Sequence, residues 1–157
     1  MNRALTERLI DTDPLVPMHH LFDGLVRWMD GQLDSALASF QKMAQLEPES
    51  VYPKMWGVYV LAWKKQYEDV FALVDQMVRS EQSDRIHEIM AEWCLLFKYA
   101  LQGDTSKALT ILTEDVKSYF WNDPELIWVG ASTYALMGEK EEALDWLERA
   151  VKRGWIN

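Results

Sequence analysis

The chain has few residues that could support a disulfide or a metal site. Its 157 residues include one cysteine, Cys94, and three histidines. A single cysteine excludes a disulfide within the chain, and these residues together leave too few soft ligands for a structural zinc site. We therefore expect no metal and no cofactor, and we interpret Cys94 as a buried thiol on a helix.

Glycine, proline and positive charge are also scarce. Seven Gly and five Pro, in a chain whose residues are 49% hydrophobic, favour packed helices over disorder. Sixteen Lys and Arg stand against 25 Asp and Glu, which gives a net charge of −9. Since the sequence also lacks a basic cluster, we expect no binding to nucleic acid and none to an anionic membrane.

Long apolar runs are missing as well. The N-terminal segment MNRALTERLIDTDPLVPMHH carries charges throughout and lacks the continuous apolar core of a signal peptide. No later run approaches the roughly eighteen apolar residues that a membrane-spanning helix needs. The sequence therefore predicts a soluble, cytoplasmic protein.

The sequence does contain an internal repeat. Three segments share a Gly, a polar turn and then Ala-Leu: GQLDSALASF from Gly31, GDTSKALTIL from Gly103 and GEKEEALDWL from Gly138. A weaker copy, KQYEDVFALV, begins at Lys65, which stands where the other copies have Gly. Successive copies begin 34, 38 and 35 residues apart. Self-similarity at this period is typical of helical repeat proteins.

This pattern resembles the tetratricopeptide repeat (TPR) family, in which small residues occupy the contact between two helices and Pro often closes the repeat. The residues that match in the first repeat are Gly24, Ala36, Phe40 and Pro48. Those that match in the last repeat, after Pro124, are Gly130, Ala131, Tyr134, Ala143, Leu147 and Ala150. The second repeat keeps Gly57, whereas the third has Leu96 where a small residue is usual.

The resemblance implies an all-α fold, a right-handed α-solenoid of antiparallel helix pairs. We expect one domain over roughly 1–157, with the end of a truncated repeat at 3–14 and repeats at 17–50, 51–83, 89–123 and 124–157. Caps and periodicity predict helices at about 3–11, 17–30, 33–46, 51–64, 67–80, 84–102, 105–119, 124–137 and 140–153.

A second likeness concerns the C-terminal run YALMGEKEEALDWLERAVKRGWIN. It is similar to the repeat regions attached to bacterial serine/threonine kinases and related signalling regulators. That likeness implies a fragment of a larger bacterial signalling protein with a separate effector domain. The sequence itself has no P-loop and no kinase catalytic motif, and we expect no enzymatic activity.

The TPR resemblance also implies a binding groove lined by the first helix of each repeat. Carrying over the groove positions gives ten candidate residues, which are Leu25, Trp28, Tyr52, Met55, Tyr59, Trp63, Met90, Trp93, Phe97 and Trp128. Such an apolar, aromatic-rich groove suits a peptide or helix of a partner protein. The alternative is that these side chains only pack between helices. A second possible function is a sensory or regulatory domain that binds a small hydrophobic ligand or a short peptide and controls an attached effector domain.

The remaining candidates for chemistry receive structural interpretations. The adjacent His19 and His20 point in different directions on a helix and lack a third ligand. We interpret His87 as part of a solvated helix face.

The ends of the chain suggest self-association. Leu5, Leu9 and Ile10 near one end, and Trp146, Trp155 and Ile156 near the other, come from helices that lack neighbours in the repeat pattern. We therefore expect a possible homodimer through exposed helix ends.

Overall fold

The computed structural model describes residues 3–80 and 84–154. Over these residues the chain forms ten α-helices and no strand. The helices are α1 (Arg3–Thr12), α2 (Pro17–Met29), α3 (Leu33–Leu46), α4 (Tyr52–Trp63), α5 (Tyr67–Val78), α6 (Arg85–Leu101), α7 (Thr105–Ile111), α8 (Glu114–Asn122), α9 (Ile127–Met137) and α10 (Lys140–Lys152). None of the described helices is long and apolar enough to cross a membrane.

The chain divides into two compact units, residues 1–87 and 88–157. In the first unit α2 packs on α3 and α4 packs on α5, while α1 packs against α2. In the second unit α9 packs on α10. The division falls between the second and third predicted repeats. The prediction of one continuous domain, and of a right-handed path through it, stays a prediction.

The turns between paired helices share one backbone conformation. The four residues that begin the repeat copies all have positive φ, with 75° at Gly31, 61° at Lys65, 73° at Gly103 and 82° at Gly138. After α2 the Gly31 N–H donates to the Trp28 carbonyl, and the next N–H, that of Gln32, donates to the Arg27 carbonyl. This pair of bonds is the Schellman motif that ends helices.

The same two bonds recur in the other three turns. The N–H groups of Lys65, Gly103 and Gly138 each donate to the carbonyl three residues earlier, and the N–H that follows each donates five residues back. The repeat copies found in the sequence are therefore equivalent turns in the structure. The predicted all-helical, TPR-like fold is confirmed.

Lys65 is the one non-glycine residue with positive φ among the described residues. A side chain in this left-handed conformation costs about 1–2 kcal/mol. Replacing it by Gly removes this cost, but part of the gain is lost because Gly has more conformational freedom in the unfolded chain. We expect Lys65→Gly to raise the free energy of unfolding by about 0.5–1 kcal/mol in urea titrations. Lys65→Ala removes the same charge but keeps Cβ, and it should bring no gain. Equal stabilisation by both variants would contradict this explanation.

Small residues allow two helix pairs to approach closely. A Cβ built on Gly24 would lie less than 3.0 Å from three ring carbons of Phe40, and one on Gly130 would lie less than 3.0 Å from three ring carbons of Trp146. Large rings thus lie directly over both glycines. Leu147, which matches the repeat pattern at the position of Phe40, is 41% exposed. The ring over Gly130 belongs instead to Trp146, one position earlier.

Two predicted boundaries in the third and fourth repeats are wrong. The predicted helix at 105–119 is two helices, since the Thr113 side chain accepts a hydrogen bond from the Val116 N–H at 3.3 Å and starts α8 there. The predicted start at Pro124 moves to Ile127, because the Asp123 carboxylate accepts from the Glu125 N–H and holds a turn.

The prediction about the ends needs one correction. Trp146 is buried beneath its neighbours and offers no surface for self-association. Leu5 is exposed, and Leu9 and Ile10 are half-buried. Trp155 and Ile156 lie outside the described residues.

Candidate functional site

An aromatic cluster joins the first helices of the first two repeats. We define the first aromatic cluster as Trp28 on α2 with Trp56, Tyr59 and Trp63 on α4. The Trp28 ring centroid lies 5.9 Å from that of Trp56 and 6.3 Å from those of Tyr59 and Trp63. The Trp63 ring meets Trp28 edge to face, at an interplanar angle of 85°. Three of the predicted site residues therefore lie together.

The members of this cluster differ in exposure. Trp28, Trp56 and Tyr59 are buried, whereas Trp63 is 67% exposed. Trp63 thus presents a large apolar ring to solvent while it also contacts a buried ring, that of Trp28. Rings held in this way lose little side-chain freedom when a partner covers them.

Trp56 was missed by the sequence-based prediction. It follows Tyr52 by four positions and precedes Tyr59 and Trp63 by three and seven. This spacing is the stripe that one helix face presents, and it was available in the sequence.

The other candidates in the first unit are on the same two helices, Leu25 on α2 and Tyr52 and Met55 on α4. Leu25 and Tyr52 are half-buried, and Met55 is fully buried in α4.

The second unit contains a separate aromatic cluster. We define the second aromatic cluster as Trp93 on α6, Phe120 and Trp121 on α8, Tyr134 on α9 and Trp146 on α10. Trp93 stacks on Phe120, with centroids 3.9 Å apart and an interplanar angle of 12°. Trp146 lies at the centre, 5.8 Å from Trp93, 5.0 Å from Trp121 and 5.5 Å from Tyr134.

The predicted site residues of the second unit are mostly enclosed. Met90, Trp93 and Phe97 on α6 are buried, and Trp128 on α9 is half-buried. Trp93 belongs to the second aromatic cluster, so its ring packs between helices. A partner that touches only the surface of this unit reaches Trp128 and not the three buried side chains.

An acidic cleft lies above the second aromatic cluster, between α8 and α10. Its volume is about 390 Å³, and its lining residues are Glu114, Lys117, Ser118, Trp121, Glu142, Asp145 and Trp146. Burial above all, and then the carboxylates of Glu142 and Glu114, raises the pKa of Tyr134 to about 12. On Trp121 the Arg149 guanidinium lies 4.5 Å from the ring centroid, a cation–π contact.

The first unit has an apolar groove that is distinct from its aromatic cluster. The groove has a volume of about 260 Å³ and is lined by Leu37, Phe40, Gln41 and Ala44 of α3, Pro53, Lys54, Gly57 and Leu61 of α4, and Leu73 of α5. Trp63 does not line it.

A buried ionic group connects α2 and α3, and the sequence analysis did not anticipate it. One Asp23 carboxylate oxygen accepts from Arg27 Nε and from the Ser39 hydroxyl, both at 2.6 Å. The i, i+4 spacing of Asp23 and Arg27 was the available signal. A buried carboxylate needs such donors, so the group orients the two helices of the first repeat.

The histidines and the cysteine serve packing. His20 Nε2 donates to the Pro14 carbonyl at 2.8 Å, which holds the turn between α1 and α2. His87, predicted on a solvated face, is buried instead, because its Nε2 donates to the Met77 carbonyl at 3.2 Å. Burial raises the pKa of the Cys94 thiol, which disfavours the reactive thiolate. Within residues 3–80 and 84–154 no three His, Cys, Asp or Glu side chains converge as a metal site.

Comparison with known proteins yields a structural likeness and no sequence family. No protein-family model and no curated protein match the chain. Among solved structures, the chain is similar to YrrB, described as a TPR protein with an unusual peptide-binding site. The two share 15% identity, the match covers 94% of this chain and 91% of that chain, and the TM-score is 0.45. The likeness to kinase-associated repeat regions stays a prediction.

Proposed function

We propose that the chain is a non-catalytic module that binds a peptide or helix of a partner protein through the exposed side of the first aromatic cluster. The observation that carries the proposal is the Trp63 ring, which is 67% exposed and lies in a T-shaped contact with buried Trp28. Tryptophan is enriched among the residues that dominate binding energy, because it buries a large area with few rotatable bonds.

The ten candidate residues differ in burial, and we assign them different roles on that basis. Trp63, Leu25 and Tyr52 keep accessible area in the first unit, and Trp128 keeps some in the second. In the first unit the three accessible residues would contact a partner, and Trp28, Met55 and Tyr59 would pack beneath them. In the second unit Trp128 would offer a separate accessible side chain, and Met90, Trp93 and Phe97 would be core residues. An apolar helix face is the complementary ligand, since it offers side chains at matching spacing.

The apolar groove of the first unit supports a second candidate function, the binding of a small hydrophobic ligand. The apolar groove between α3, α4 and α5 has the lining expected of a site for a small hydrophobic ligand. A regulatory domain that senses such a ligand and controls an effector in a bacterial signalling protein would use this groove. The first proposal is preferred, because its aromatic ring projects into solvent.

Trp63→Ala tests the first proposal. We expect helical peptides selected from a displayed library against the chain to bind the variant at least tenfold more weakly, since an aromatic hot spot contributes about 2 kcal/mol. The melting temperature should hardly change, because most of the ring is in solvent. Affinity is measured by calorimetry and stability by circular dichroism.

Leu15→Ala is the matched control, since Leu15 is 70% exposed in the first unit but lies outside the cluster. It should leave peptide affinity unchanged. Equal affinity of the Trp63→Ala variant and the parent chain would contradict the proposal. Binding of a small apolar fluorescent probe that responds to Gly57→Leu and not to Trp63→Ala would favour the second function.

A further inference from the structure

Three repeats have a glycine in their first helix, and each of these glycines faces the residue sixteen positions later, on the second helix. That residue is Phe40 in the first repeat and Trp146 in the last, and both rings are buried over their glycine. In the second repeat the glycine is Gly57 and the facing residue is Leu73, whose nearest methyl carbon lies 3.6 Å from a Cβ built on Gly57. The second repeat therefore lacks the aromatic ring that the other two supply.

The apolar groove of the first unit lies at the place of this missing ring. Gly57 and Leu73 both line the groove, and its volume is about 260 Å³. Sites for drug-sized molecules usually measure about 300–1,000 Å³, so the groove suits a smaller molecule of one or two rings. Phe40 lines the groove as well and offers an aromatic neighbour to such a ring. The second repeat thus leaves space for a ring that its own sequence does not provide.

The charge at the groove is positive. Of the described residues that line it, Lys54 alone is charged, although the whole chain has a net charge of −9. Lys54 precedes Gly57 by three positions on α4, which places it on the same helix face at about 4.5 Å along the axis. Within residues 3–80 and 84–154 the Lys54 ammonium has no ion-pair partner. A negative group attached to a ring over Gly57 would find this cation within reach.

We infer that the apolar groove binds a small aromatic carboxylate, with its ring over Gly57 and its carboxylate on the Lys54 ammonium. The inference rests on the second candidate function, for which it names the ligand class, and it is independent of peptide binding at the first aromatic cluster. The equivalent rings of the first and last repeats define the shape of the ligand, and Lys54 defines its charge. A Phe or Trp side chain of a partner protein would supply the ring without the negative group.

Calorimetry with three probes tests the ligand class on the whole chain. We expect 2-naphthylacetate to bind at one site, about fivefold more tightly than the neutral 2-naphthylacetamide, since a partly exposed ion pair contributes about this factor. Octanoate, which has the charge without the ring, should also bind at least fivefold more weakly. Equal affinity for acid and amide, or for octanoate and naphthylacetate, would overturn the inference and leave ligand binding in the groove intact. No binding of any probe would overturn the second candidate function as well.

Lys54→Met tests the charge, because it removes the ammonium and keeps an unbranched side chain. The variant should bind 2-naphthylacetate about fivefold more weakly and the amide as tightly as the parent chain does. Lys42→Met is the matched control, since Lys42 is exposed on α3 and does not line the groove. It should change neither affinity. An equal loss in both variants would attribute the effect to net charge and contradict the contact with Lys54.

Leu73→Phe tests the ring position, because it supplies the missing ring from the chain itself. This variant should lose the binding of both naphthyl compounds while circular dichroism shows a melting temperature no lower than that of the parent chain. Leu73→Met, which changes the side chain without adding a ring, should keep binding. Gly57→Leu closes the groove from α4 and replaces Leu73→Phe in the test if that variant does not fold. Undiminished binding by the folded groove-filling variant, or loss of binding by Trp63→Ala, would place the ligand elsewhere and overturn the inference.

Discussion

Gly130→Ala is expected to lower the free energy of unfolding by about 3 kcal/mol or more, the upper end of what overpacking costs in a core. The new Cβ would overlap with three ring carbons of Trp146, each closer than 3.0 Å. That ring cannot withdraw easily, because Trp93, Trp121 and Tyr134 surround it within 5.8 Å. Either α9 and α10 must separate or the second aromatic cluster must rearrange.

Gly57→Ala is the matched control for this experiment. Its Cβ would meet only a methyl carbon of Leu73 at 3.6 Å, an ordinary contact. The same chemical change should therefore stabilise α4 by up to about 1 kcal/mol, since Ala favours helix over Gly. Urea unfolding monitored by circular dichroism compares the variants. If Gly130→Ala proved as stable as Gly57→Ala, the close contact between Gly130 and Trp146 would be contradicted.

The hairpin turns could be predicted from the sequence because their causes are local. Gly31, Gly103 and Gly138 permit positive φ at little cost, and Lys65 was placed among them by spacing alone. The break before α8 was missed, since the apolar periodicity continues across it. Thr113 is a typical helix N-cap, and acidic residues follow it in the first turn. This local signal indicates a new helix start, and it should have been preferred to the apolar periodicity.

The burial of the candidate site was harder to predict. The spacing of Met55 and Tyr59 predicts that one side of α4 faces the groove. In the structure Val58 and Val60 of the same helix are buried as well. A helix that is apolar on several faces does not indicate which face is covered, because that depends on contacts distant in sequence. The same reason explains His87, whose partner, the Met77 carbonyl, lies on the preceding helix. Trp63 was predictable as an aromatic at a groove position, whereas its exposure was not.

Trp93→Ala is expected to destabilise the chain by about 3–5 kcal/mol, because it removes a fully buried ring and leaves a cavity. The ring stacks on Phe120 at 3.9 Å and contacts Trp146, so its loss also weakens what holds Trp146 over Gly130. Trp63→Ala is the same substitution at an exposed position and should change stability by no more than about 0.5 kcal/mol. Thermal and urea unfolding of the two variants are compared, with Trp93→Phe expected to retain part of the stacking.

Comparing the Trp93→Ala and Trp63→Ala variants separates a packing role from a binding role for the residues that the TPR resemblance places in the groove. Any loss of peptide binding by Trp93→Ala should follow its loss of folded protein, and should vanish when affinity is corrected for the folded fraction. Loss of binding by Trp63→Ala should persist after that correction. A Trp93→Ala variant that keeps its stability but loses binding would place the Trp93 ring at the partner surface and contradict its role as a core residue.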